Sequence, residues 1–173
     1  MIKKDLKKIL FLDLDDCIIP WGNYRKSYGY DLESIKKETS QNVEILNRFC
    51  DLLGFEIYLT SSWSCILELK NNKLYLKESI KDSIEDEIKE LFEIVKKLNI
   101  NYIDEINNRE KAIRNFMKNN KIEYGLIVDD FNLSFLEKEF DKLKYIEAKD
   151  IDPVNLLKKL ILGSSEFLKK EIK

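Results

Sequence analysis

The sequence predicts an α/β fold on a mostly parallel sheet, and three observations carry that prediction. Apolar runs of strand length alternate with segments of helical period. Ile9 to Leu12 is apolar on both faces, as a strand buried in a parallel sheet must be. The runs near 9–12, 55–59 and 124–128 all end in polar functional groups: Asp13-Leu14-Asp15-Asp16, Thr60-Ser61-Ser62 and Asp129-Asp130. In a parallel sheet such ends share one edge, where open α/β sheets bind their ligands. Helices on both faces would make the arrangement Rossmann-like.

Taken in order, the first strand leads through Cys17 to Asn23, a short extended piece and turn, into Tyr24–Tyr30, which has no clear period and reads as a loop. A helix is expected from about Ser40, a suitable N-cap, with Val43, Leu46, Phe49 and Cys50 on one face and a glycine stop at Gly54. Phe55–Leu59 is the second strand. Residues 66–76 alternate around Asn71-Asn72, which suits a small hairpin, although a helical turn is also allowed. From Ser79, Ile80, Ile84, Ile88, Leu91, Val95 and Leu98 recur at helical spacing. Tyr102–Ile106 reads as a short strand, and Asn107 or Asn108 as the cap of a helix carrying Ala112, Ile113, Phe116 and Met117. Lys111 in that first turn opposes the helix dipole, a conflict that makes sense if the lysine has a separate job. After the 124–128 strand come a short helix over Leu133–Phe140, an edge strand over Lys144–Ala148, and a helix from Pro153 with a break expected at Gly163.

Composition narrows the chemistry. A 173-residue chain is expected to form one domain, 1–173, with a small insertion around 64–78. Its 30 basic and 32 acidic residues give no global attraction to nucleic acid or an anionic membrane, though a local basic groove is still allowed. Cys17, Cys50 and Cys65 have no paired spacing and read as reduced thiols of a cytoplasmic protein. No apolar stretch approaches a membrane span. Histidine is absent, which removes His-based triads, zinc sites with His ligands and phosphohistidine chemistry together.

Crowded carboxylates raise one another's pKa unless a cation sits among them, and an oxygen-rich cluster is the usual seat of Mg²⁺. Cleaving a phosphate ester without histidine or thiol needs an oxygen nucleophile, an acid for the leaving alcohol, donors to the phosphoryl oxygens and positive charge. The chain offers Asp13 as nucleophile, Asp15 as general acid/base, Thr60 or Ser61 as donor and Lys111 as fixed cation. Asp129 and Asp130, with Asp13, are the candidate Mg²⁺ ligands.

These pieces, FLDLDD, YLTSS, Lys111 and LIVDD in that order, resemble the four motifs of the haloacid dehalogenase (HAD) superfamily of phosphohydrolases, across roughly residues 9–132. The Thr-Ser-Ser-Trp form and the compact chain are more particularly similar to the HAD domains associated with RNA-repair proteins. The resemblance implies a HAD-like fold and an Mg²⁺-dependent phosphatase working through a phosphorylated Asp13. It implies that Asp15 protonates the leaving group, later activates water and adds its main-chain carbonyl to the metal site. Thr60 and the Ser61 main chain would bind phosphate, Lys111 would bridge phosphate and Asp13, and Asp129 would ligate the metal with Asp130 in support. Cys17 stands where the family usually has Thr or Val, and Asp16 where Gly is frequent.

The short intervals between motifs leave no room for a large cap domain. In the superfamily it resembles, a cap closes over small substrates. The resemblance therefore implies an open site for a large substrate, a phosphorylated nucleic acid end or a protein, or a partner that supplies the lid, with nucleotides as the other substrate class expected. Trp21, Tyr24, Arg25, Lys26 and Tyr28 follow the nucleophile and suit either base stacking with phosphate contact or packing onto the core. Trp63 reads as core or as support for the site. A response-regulator receiver would need the acidic pair first and a lone Asp at the middle strand, so its order is wrong. A PIN-like metal-dependent nuclease would have no use for Lys111 or the hydroxyls, and a non-catalytic binding protein on a HAD-like fold is the third alternative.

Overall fold

The computed structural model describes residues 6–22 and 31–171, without the side chains of 168, 170 and 171. The loop Tyr24–Tyr30, with Tyr24, Arg25, Lys26 and Tyr28, lies outside the described residues, as does Asn23. The elements are β1 (Lys7–Leu12), α1 (Leu32–Leu53), β2 (Phe55–Leu59), a 3-10 turn (Ser62–Cys65), β3 (Leu67–Lys70), β4 (Lys73–Leu76), a second 3-10 turn (Lys81–Ser83), α2 (Asp86–Val95), β5 (Ile100–Ile103), α3 (Arg109–Asn119), β6 (Ile122–Asp129), α4 (Leu136–Glu139), β7 (Leu143–Glu147) and α5 (Pro153–Glu171). Five strands form one parallel sheet in the order β5-β2-β1-β6-β7. The chain winds outward from β1 through β2 to β5, then crosses back to β6. The topological switch point therefore lies between β1 and β6, at the ends that carry the aspartates.

Strand alternation separates two cores. Leu10, Leu12, Leu126 and Val128 pack with α1, α2 and α5 on one face. Ile9, Phe11 and Ile127 pack on the other with Ile113 and Met117 of α3 and Leu136 of α4. Because β1 is covered on both sides, Ile9 to Leu12 are fully buried, as their unbroken apolar character requires. Fully burying one such side chain contributes about 1.5–3 kcal/mol, so the motif strand is also the centre of the core.

Several boundaries differ from the sequence reading, each for a local reason. Helix α1 begins at Leu32, capped by Asp31, which accepts from Ser34 N at 3.2 Å, rather than near Ser40. Its first turns bury only Ile35 and Thr39 among charged residues, so their period is faint. The helical spacing from Ser79 yields a helix only from Asp86; Ile80 and Ile84 lie in turns and are half-buried. Strand β5 starts at Ile100 and ends at Ile103, and α4 is a single turn. Helix α5 runs through Gly163 without a break. A Cβ there would sit 2.8 Å from Ile146 Cδ1, so this glycine lets the helix approach the sheet. Residues 67–76 form the antiparallel hairpin, with Asn71 and Asn72 both at positive φ (51° and 60°), the pattern of a tight two-residue turn.

Candidate active site

Backbone hydrogen bonds carry the sheet just beyond its strand ends and draw the motifs together. Asp13 N donates to Val128 O at 3.0 Å, Thr60 N to Leu12 O at 2.9 Å, and Asp104 N to Leu59 O at 2.9 Å. Past β1 the chain turns sharply: Asp16 adopts left-handed φ of 54°, and Cys17 N and Ile19 N both donate to Leu14 O. A left-handed position explains why glycine is frequent there, and aspartate is among the few side chains that tolerate it. Cys17 is buried, its Sγ 3.8 Å from Val128 O, and burial pushes its thiol well up, so it is an inert packing group.

Asp13 and Asp129 are buried side by side, with Asp130 half-buried beside them. One carboxylate oxygen from each of the three lies within 4.8 Å of the others. Burial first, and then the charge of Asp129, push Asp13 up to about 8 against the opposing pull of Arg109. Burial likewise raises Asp129 to about 6, although the Phe131 N–H and Arg109 favour its ionised form. Asp129 Oδ2 is buried with no hydrogen-bond partner among the described residues. Three converging hard oxygen donors with an orphaned lone pair could supply part of the octahedral shell of Mg²⁺, with water completing it, so these residues fit the ion. The Asp15 carboxylate is not part of this group; only its main-chain carbonyl is left as the metal contact that the motif implies.

The cation at the cluster is Arg109, the first residue of α3. Its Nη1 lies 2.6 Å from Asp129 Oδ1 and its Nη2 3.8 Å from Asp13 Oδ1. Lys111, named for this place by the sequence, is exposed, and its backbone N donates to the Asn108 cap at 3.1 Å. No ion pair joins its side chain to the carboxylates among the described residues. Helix α3 is aimed by Asn107, at left-handed φ of 52°, whose Oδ1 accepts from Ser64 Oγ at 2.5 Å.

Asp15 is held from two sides. Trp21 Nε1 and Trp63 Nε1 each donate to Asp15 Oδ1 at 2.8 Å. Both rings are buried, so the carboxylate leans on fixed donors, and among the described residues Oδ2 has no donor. The sequence allows both tryptophans as core or site and shows a partner for neither. Thr60 and Ser61 are buried at the β2 end. Thr60 Oγ1 donates weakly to Leu12 O at 3.3 Å, and Ser61 Oγ accepts from Trp63 N at 3.3 Å. Among the described residues no acceptor takes the Ser61 hydroxyl proton and that of Thr60 is only weakly engaged, so both stay candidates for the phosphate donor. Arg109 was legible as a first-turn cation two residues from the one chosen; the indole pair left no signal in the pattern.

No helix among the described residues is long and apolar enough to cross a membrane. A family model described as the HAD domain in Swiss Army Knife RNA repair proteins matches residues 9–149, which span β1 to β7 and every candidate site residue. Neither a curated protein nor a solved structure gives a significant match. With most of the chain matched and the parallel sheet in place, the chain belongs to this family of HAD-type phosphohydrolase domains.

Proposed function

We propose that the protein is an Mg²⁺-dependent phosphomonoesterase working through an aspartyl-phosphate on Asp13. The observation that carries this reading is the convergence of Asp13, Asp129 and Asp130 beside Arg109 at the switch point, with one buried Asp129 oxygen unpartnered among the described residues. Bound Mg²⁺ would supply the charge that lets ionised Asp13 meet an anionic phosphate. An Asp13 carboxylate oxygen attacks phosphorus while the ester P–O bond breaks, and the leaving oxygen takes its proton from Asp15. Asp15, now ionised, then takes a proton from the water that attacks the same phosphorus, which releases inorganic phosphate and restores Asp13. Arg109 is best placed to bind the phosphoryl oxygens, because its guanidinium already faces Asp13; a planar fork matches phosphate in two-point contact. Lys111, from the next turn face of the same helix, is the second candidate for that role. Thr60 or the Ser61 main chain would bind the remaining phosphoryl oxygens.

The family's setting in RNA-repair proteins supports a nucleotide or phosphorylated nucleic acid end as substrate. The small hairpin between β2 and β5, in place of a covering domain, fits a large substrate of that kind. Hydrolysis of an aryl phosphate with and without Mg²⁺ tests the reading, with wild type compared with Asp13→Asn. Mg²⁺-dependent release of phosphate, lost in Asp13→Asn, is the expected result. Equal rates in the two proteins would overturn it.

A further inference from the structure

Beside Asp15 lies a cleft of about 310 Å³ that the reaction above does not use. Asp15, Trp63 and Ile66 line it, together with Ile84, Glu85 and Ile88 at the entrance to α2. The lining is mainly apolar, and among the described residues its only charges are the carboxylates of Asp15 and Glu85. Its position has a chemical consequence. The oxygen that takes a proton from Asp15 is bonded to the first carbon of the leaving alcohol, so that alcohol must begin beside Asp15. Asp15 itself lines this cleft, and Trp63 both holds the carboxylate and walls the space.

We propose that this cleft is the leaving-group subsite and that it takes the uncharged, apolar or aromatic body of the alcohol, a nucleoside being the fitting class. This assignment rests on the phosphomonoesterase reading. A cleft of this size is within the range of small-ligand sites. Ile66, Ile84 and Ile88 offer apolar contact to a flat ring, whereas Ser62 at the rim offers a hydroxyl to a polar edge. Among the described residues the lining holds no cation, so an anionic leaving group would meet Asp15 and Glu85 unopposed, and a second phosphate is rejected from this space. The site would thus select a monoester by what leaves as well as by the phosphate.

Two measurements test it. In protein labelled at isoleucine δ1 methyls, adenosine should shift the resonances of Ile84 and Ile88, and the anion 4-hydroxybenzoate should not. In turnover, 1-naphthyl phosphate should exceed 4-carboxyphenyl phosphate by at least about tenfold in kcat/KM, and Ile88→Lys should shrink that ratio by about tenfold, since one charge at close range outweighs the apolar contact it replaces. Unmoved methyls overturn the subsite, as does a ratio unchanged in folded Ile88→Lys. If turnover depends on Mg²⁺ and Asp13 while the methyls stay silent, the subsite fails and the phosphatase reading stands. If the methyls shift but no ester turns over, the phosphatase reading fails and takes the leaving-group assignment with it.

Discussion

Replacing Arg109 with methionine removes the only guanidinium that touches the buried carboxylates among the described residues, while keeping much of its apolar stem. Asp13 and Asp129 side chains are 3% and 0% exposed, and Arg109 bonds the second at 2.6 Å. Removing one partner of a buried pair costs about 3–5 kcal/mol, because the remaining charge is uncompensated. Carboxylates can escape that cost by taking a proton, so the loss depends on pH. The folded-state values of Asp13 and Asp129, about 8 and about 6, lie above the ordinary 3.8. The stability linked to their protonation is therefore fully present below about 4 and is lost as pH rises through 6 and then 8. Without Arg109 both groups rise further and the loss at high pH deepens. In EDTA, Arg109→Met should cost little at pH 5 and about 3 kcal/mol at pH 8, or roughly 6–12 °C in Tm for a domain of this size. Mg²⁺ at pH 8 should return part of that, since it replaces the missing charge. Thermal melts followed by circular dichroism, at both pH values with and without Mg²⁺, read this directly. Equal losses at pH 5 and pH 8, or no rescue by Mg²⁺, would refute the reasoning.

Other variants separate the roles of neighbouring groups. Trp63→Phe removes one of two N–H donors to Asp15; a hydrogen bond to a charged group is worth about 1.5–3 kcal/mol, so kcat should fall about tenfold or more on an alkyl phosphate. On 4-nitrophenyl phosphate, whose leaving group needs little protonation, the same variant should lose much less, and equal losses on both esters would mean that Trp63 is only packing. Arg109→Met should lower kcat/KM by more than about a hundredfold and Lys111→Met by less than about tenfold; the reverse order would return the phosphate contact to Lys111. Cys17→Thr should keep stability within about 1 kcal/mol, because the hydroxyl can donate to the same Val128 carbonyl that the thiol faces; a larger loss in a denaturant titration would show that the site demands sulfur.

The strand ends were legible because burial forces an unbroken apolar run and function forces the polar groups that end it. Asp13, Thr60 and Asp129 therefore fall on one edge from the sequence alone. The choice between Arg109 and Lys111 was not legible. Residues two apart on a helix are rotated by about 200°, and only the seating of α3 on the sheet decides which one faces the carboxylates. The start of α1 was hidden because Leu32 to Thr39 buries little and shows mainly charge. Ile80 and Ile84 carry helical spacing but lie in turns, and of the two Ile84 serves the wall of the cleft. The grip of Trp21 and Trp63 on Asp15 joins side chains 6 and 48 residues away, and no periodicity records such a contact.

The most direct test of the central claim is to trap the phosphorylated enzyme. An aryl phosphate is mixed with protein and Mg²⁺, quenched in acid during turnover and reduced with borohydride, which converts an aspartyl-phosphate to homoserine. Peptide mass spectrometry then locates the converted residue. Homoserine at position 13 alone, absent without Mg²⁺, is the predicted result. Turnover with Asp13 unmodified, or homoserine at Asp15 or Asp129 instead, would contradict the account.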